Sequence, residues 1–201
     1  YLLSDLGAKL RLTYTVDALG TLRYEQVLVP DTARRVPNFF RFGVRLALPP
    51  TMNQLAYYGR GPMENYPDRK ASQHLGYYVA EVASQYYPYL RPQETGLKSD
   101  LSFFHVLDAG GLEVRSDKRF YASALDRSLD ALDGFPEKGQ AHGELIPPSD
   151  RTELLIDSDH MGLGCYNSWG HLPQERFLLP LDRTYMLRLL FTPRLPLRPR
   201  R

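Results

Sequence analysis

The sequence is short of the residues that announce most kinds of chemistry. It has one cysteine in 201 residues, Cys165, so no internal disulfide can form and no thiol cluster can hold a metal. Its five histidines, at 74, 105, 142, 160 and 171, never fall at a metal-ligand spacing such as His-x-x-x-His. The closest histidine–carboxylate pairs are His142 with Glu144 and Asp159 with His160, and adjacent strand residues point to opposite faces. No run of eighteen apolar residues exists, which excludes a helical membrane span. Charge of neither sign dominates: 25 basic against 23 acidic side chains give a net +2. The one basic concentration is the end, where Arg194, Arg198, Arg200 and Arg201 alternate with Pro193, Pro196 and Pro199. Residues 194–201 are expected to be a solvated tail, not a nucleic-acid or membrane contact. The chain opens on Tyr1 without a leader, and reads as a mature or excised piece.

What is present is alternation of period two. Residues 9–16 and 21–29 alternate apolar and polar around the turn-forming 17–20, which predicts a β-hairpin. Further strands are expected at 40–48, 54–58, 75–82, 101–107, 112–116, 153–157, 162–165 and 186–191. One helix is expected within 123–132, where Leu125, Leu129 and Leu132 keep helical spacing and Gly134 and Pro136 follow. Many short strands with Gly and Pro punctuation indicate an all-β antiparallel sandwich with at most one short helix, in a single domain over 1–201.

The densest segment is 57–69, Tyr-Tyr-Gly-Arg-Gly-Pro-Met-Glu-Asn-Tyr-Pro-Asp-Arg. Gly59, Gly61 and Pro62 predict a tight loop after a strand, with glycines supplying positive φ. Glu64, Asp68 and Arg69 are suited to tie such a loop down by charge-assisted hydrogen bonds. Glu64 and Asp68 also invite comparison with a glycosidase acid and nucleophile. Arg69, however, favours the ionised form of either neighbour, and no desolvated acid is evident, so the structural role is preferred. The Gly-x-Gly pair lacks the continuation that a phosphate cradle needs.

The only tryptophan, Trp169, lies in the polar, glycine-rich stretch 157–170 beside Asn167, Ser168 and Gly170. Two readings stand. The ring can serve as a flat apolar platform for a sugar, with neighbouring amide and hydroxyl groups meeting sugar hydroxyls. Alternatively it plugs the end of the sandwich.

Three segments together resemble one family. Residues 58–69, containing Gly59, Gly61, Pro62, Glu64, Asn65, Tyr66, Asp68 and Arg69, are similar to a signature of the terminal domain of lactase-type β-galactosidases of glycoside hydrolase family two. Residues 91–96 (Arg-Pro-Gln-Glu-Thr-Gly) resemble that domain's next signature. Asp157, His160, Met161, Gly162, Leu163, Gly164, Ser168 and Trp169 resemble its last. The likeness runs from about Phe39 to Phe191, in the family's order.

The resemblance implies the family's antiparallel supersandwich, related to galactose mutarotase. It implies a parent enzyme that hydrolyses terminal β-D-galactosides such as lactose with retention. The parent's catalytic glutamates, and its Mg and Na sites, would lie on other domains, so no catalytic, metal or cofactor residue is expected here. Trp169, with Ser168 and Asn167, would contact the aglycone sugar at the active-site mouth. The expected partners are the catalytic barrel and other domains of the same enzyme, the galactoside substrate, and further copies in a homo-oligomer. Two departures bear on this. Cys165-Tyr166-Asn167 stands where the family often has Gly-Asp-Asp, which alters the loop's polarity. The family's module also extends further on its amino-terminal side, so the module is expected to be truncated before Tyr1. The alternatives are an independent carbohydrate-binding module, or a mutarotase-like aldose epimerase, which fold alone does not license.

Overall fold

The computed structural model describes residues 1–33, 38–91, 93–133, 142–164, 166–167 and 169–194. Its strands are β1 (Leu2–Leu3), β2 (Ala8–Val16), β3 (Leu22–Pro30), β4 (Arg41–Leu48), β5 (Gln54–Gly61), β6 (His74–Glu81), β7 (Lys98–Leu107), β8 (Gly111–Leu125), β9 (Thr152–His160) and β10 (Tyr185–Arg194). All pairings are antiparallel, in the order β1-β2-β3-β10-β8-β7-β5-β6, with β9 joining β8 to β4. The all-β antiparallel expectation holds.

The long strand β8 organises the sandwich. Its first part, Gly111 to Ser116, pairs with β10, and its last part, Tyr121 to Leu125, pairs with β9. Two leaves therefore leave β8 on the same edge, one through β10, β3 and β2, the other through β9 and β4. They face each other across the core. Phe42 of β4 meets Tyr185 of β10 at 5.8 Å between ring centroids. Leu154 and Ile156 of β9 are buried with Leu187 and Leu189 of β10 and with Phe104, Val106 and Val114. In β10 the alternation is strict: Tyr185, Leu187, Leu189 and Phe191 point inward, while Met186 and Arg188 point out. Burial of each such side chain is worth about 1.5–3 kcal/mol, which is what selects this register over a one-residue slip.

Three expectations need correcting. The 123–132 stretch is not one helix: Ser123 to Leu125 finish β8, and the helix α1 (Leu129–Asp133) has a single turn. Leu125 and Leu132 keep their apparent helical spacing because strand end and helix both pack on one small core with Ile146. Residues 162–164 are not a strand, and Cys165 lies outside the described residues. The strand expected at 112–116 is β8, which runs on to Leu125 through the polar Asp117-Lys118-Arg119.

Candidate functional site

The 57–69 segment begins as strand: Tyr57 to Gly61 belong to β5, and the turn starts at Pro62, after a cis Gly61–Pro62 peptide. Neither Gly59 nor Gly61 has positive φ. They are glycine for want of room. A Cβ on Gly59 would lie 2.6 Å from Leu101 Cδ2 and 2.9 Å from the Ser99 carbonyl, and one on Gly61 would run into the Tyr57 hydroxyl. The expected positive φ is thus replaced by close packing of β5 on β7 and on Tyr57.

Beyond Pro62 the side chains of Glu64, Asn65 and Asp68 each reach a segment distant along the chain. Glu64 accepts hydrogen bonds from the Tyr89 hydroxyl, from Thr95 Oγ1 (3.1 Å) and from the Gly96 amide (2.7 Å). It thereby ties this turn to residues 91–96. Asn65 is fully buried: its Nδ2 donates to the Arg60 and Met63 carbonyls, and its Oδ1 accepts from the Ser99 amide and hydroxyl. Tyr66 pairs through its backbone with Arg69, whose guanidinium lies over the Tyr66 ring and 3.8 Å from Glu64.

Asp68 reaches the third segment. Its Oδ1 accepts from the Leu163 amide (3.0 Å) and its Oδ2 from the Gly164 amide (2.7 Å). A Cβ on Gly162 would come within 2.7 Å of Asp68 Oδ2 and 2.9 Å of Phe177 Cβ, so only glycine lets the chain approach this closely. Charge-assisted bonds of this kind are worth about 1.5–3 kcal/mol each. Both carboxylates considered as an acid and a nucleophile are therefore engaged as acceptors for loop anchors.

A second junction joins the same segments. Arg41, at the start of β4, donates from Nε (3.1 and 3.2 Å) and Nη2 (2.6 Å) to Asp157, and from Nη1 to Glu94 (2.9 Å). The ladder between β4 and β9 shifts register between Phe42 and Gly43, and Gly43 leaves the space that the Asp157 carboxylate fills. Asp157 is almost wholly buried, and this burial pushes its carboxyl above the usual range while the Arg41 charge opposes the rise. The same two carboxylates hold Arg41 firmly in its charged form against the cost of its own burial. His160 donates from Nδ1 to the Met161 carbonyl (2.7 Å), packs beside the Tyr66 ring and stands 3.9 Å from Glu94. Next to Glu64 lies Lys98, 2% exposed, whose Nζ donates to the Gly96 carbonyl at 3.1 Å. Burial pulls this amine down to about 8, and Glu64 limits the fall.

The segment pinned by Asp68 leads straight into the tryptophan loop. Asn167 Oδ1 accepts from the Trp169 amide (2.9 Å) and the His171 amide (3.4 Å), and Gly164 and Gly170 take φ of +72° and +78°. Trp169 is 89% exposed, and so plugs no core among the described residues. Tyr166 is half exposed beside it, its ring edge-on to His171. Asn167 is exposed, with its side-chain oxygen shaping the turn; Ser168 lies outside the described residues.

The structure thus places Gly59 and Gly61 in β5 against β7 and Tyr57, and sets Pro62, Glu64, Asn65, Tyr66, Asp68 and Arg69 in the turn beyond it, from which Asp68 alone reaches the segment leading to Trp169. Sequence reasoning missed Arg41, Lys98 and Tyr89. Each is an ordinary-looking residue: Arg41 and Tyr89 bond to side chains more than twenty positions away, and Lys98 bonds to the nearby Gly96 carbonyl while lying in the field of the distant Glu64, so no local pattern marks them.

The β-galactosidase small chain family model matches residues 2–191. The chain is 36% identical over 176 residues to a β-galactosidase of Vibrio cholerae, covering 87% of this chain and 16% of that protein. It is 34% identical over 191 residues to one from Lactobacillus delbrueckii subsp. bulgaricus, covering 94% and 18%. It is 32% identical over 198 residues to one from Streptococcus thermophilus, covering 95% and 18%. The chain thus spans less than a fifth of the length of these curated relatives.

Proposed function

This chain belongs to the β-galactosidase small chain family, and from that premise we propose that it is a non-catalytic module completing the active-site mouth of such an enzyme. In this reading the whole chain is one module. The catalytic carboxylates of a retaining mechanism, and any Mg²⁺ or Na⁺, sit on other domains of the same enzyme. The module's part is to present Trp169, with Asn167 and Ser168, to the aglycone of a terminal β-D-galactoside such as lactose.

One observation carries the reading: a nearly fully exposed tryptophan on a loop held from beneath by a dedicated carboxylate. Its ring offers a flat apolar platform that no described residue covers, the geometry that stacking on a sugar face needs. Asp68, Gly162 and Gly164 spend three special residues on fixing the approach to this loop, the pattern expected of a preorganised contact. Glu64 and Asp68 are saturated by loop donors, which supports a holding role over proton transfer.

The test is Trp169→Ala in the assembled enzyme. Glucose inhibition is expected to weaken by roughly tenfold or more, the scale of about 1–3 kcal/mol for a large apolar contact. Transfer of the galactosyl group to glucose should fall relative to transfer to water, while hydrolysis of an aryl galactoside changes little. If both glucose readouts are unchanged and only thermal stability drops, the module does not contact the aglycone through this residue.

A further inference from the structure

Beside the Arg41 junction opens a cleft of about 500 Å³, lined by Phe40, Arg41, Glu94, Leu129, His160 and Met161 among others. Its size falls in the range of small-molecule sites. Its polar groups are not all used up by the junction. Arg41 engages Asp157 and Glu94 through Nε, Nη2 and Nη1, one N–H at each. Of the five N–H groups that a guanidinium carries, two are left over among the described residues. Glu94 accepts from Arg41 through Oε2, and Oε1 takes no hydrogen bond among the described residues. His160 commits its Nδ1 proton to the Met161 carbonyl, because a carbonyl only accepts. Its Nε2 is then an acceptor in the neutral ring, and at 3.9 Å from Glu94 it is beyond hydrogen-bonding distance. A donor, two acceptors and an aromatic ring, Phe40 at 72% exposure, thus meet at one cleft.

We infer that this cleft is a second carbohydrate site, which takes a neutral hexopyranose by its hydroxyls and stacks its C–H face on Phe40. The chemistry selects that class. A hydroxyl both donates and accepts, so two neighbouring hydroxyls match the adjacent guanidinium and carboxylate of Arg41 and Glu94, and a third can donate to His160 Nε2. An anion would meet Glu94 and Asp157, and a cation would meet Arg41, so neither sign of charge is favoured over a neutral ligand. Phe40, Leu129 and Met161 supply the apolar wall that an alditol or water cluster would not need. Phe40 is well placed to be spared by the fold: its carbonyl accepts from the Met161 amide, which any residue at 40 preserves.

The experiment uses the assembled enzyme with ¹³C-methyl methionine, the Met161 signal being identified by its loss in Met161→Leu. D-glucose and D-galactose are titrated, with methylammonium and acetate as charged probes. The Met161 methyl is expected to shift saturably with either sugar, with a midpoint on the order of 1 mM or above. Phe40→Ala should weaken that response by roughly tenfold, and Glu94→Gln by a smaller factor, since an amide oxygen still accepts. Trp169→Ala should leave it in place. No response to either sugar, or a response to a charged probe alone, overturns the site. So does a sugar response that survives Phe40→Ala but disappears in Trp169→Ala, which would assign it to the tryptophan loop and leave the proposed function standing. Conversely, a Met161 response in an enzyme whose glucose inhibition ignores Trp169 supports the cleft while removing the aglycone reading.

Discussion

Replacing Lys98 by methionine removes a charge from the interior while keeping nearly the same length of side chain. The wild-type amine is 2% exposed, and burial draws its proton affinity from the ordinary 10.5 to about 8. At roughly 1.4 kcal/mol per pH unit, that difference amounts to about 3 kcal/mol. The sign follows from proton counts. Between about pH 8 and 10.5 the unfolded chain holds the Lys98 proton and the folded chain has released it, so stability rises with pH across that window. Below pH 8 both states are protonated and the folded state carries the full cost. Methionine has no proton to release. The stability of wild type relative to Lys98→Met should therefore climb by about 3 kcal/mol between pH 7 and 10.5. Urea unfolding of both proteins across that range measures it. The buried tyrosines, such as Tyr24 at about 12, act in the opposite direction above pH 10 but are common to both proteins and cancel in the difference. Titration of the Lys98 side-chain carbon signal gives an independent midpoint, expected near 8. Parallel stability curves, or a midpoint near 10.5, would show that water reaches the amine and that the junction is looser than described.

Asp68→Asn replaces one of two acceptors by a donor that the Leu163 or Gly164 amide cannot use. It should cost about 1.5–3 kcal/mol in stability and reproduce the glucose-inhibition defect of Trp169→Ala in weaker form; normal glucose inhibition would separate Asp68 from the loop's function. The purified 201-residue chain should not turn over a chromogenic galactoside, since a retaining mechanism needs two carboxylates about 5–5.5 Å apart and free to react. Turnover abolished by Glu64→Gln would refute this. The chain alone should also self-associate, because Tyr14, Val16 and Val29 expose apolar surface on β2 and β3, beside the edge left beyond the two-residue β1. A single monomer boundary in sedimentation at every concentration would count against it.

The hairpin β2–β3 was the most legible part of the fold, because alternation and turn chemistry agree. Asp17 Oδ1 caps the turn by accepting from the Leu19 and Thr21 amides, and Gly20 takes φ +81°. The extent of β8 was illegible for a physical reason. Asp117-Lys118-Arg119 looks like a break, yet it is an exposed stretch where the strand passes from one partner to the other. Gly162 to Gly164 resembled a strand, but two of its amides go to the Asp68 carboxylate instead of a neighbouring ladder. The family's motifs marked Glu64 and Asp68 as residues of interest without saying what they touch. That Glu64 holds residues 95–96, and Asp68 residues 163–164, is a matter of long-range contact that spacing along the chain does not encode.

Because both leaves hang from β8, this strand is a common spine and the leaves are not separate melting units. A leaf that detaches leaves half of β8 without partners on one edge, and those bare amides and carbonyls weaken the half to which the other leaf is bonded. Slow amide exchange in β9 and β10 should accordingly collapse together, although these strands share few direct contacts. For anyone dividing this chain into complementing fragments, a cut at 117–119 severs both leaves at once. A cut in the turn at 17–20 parts only a hairpin.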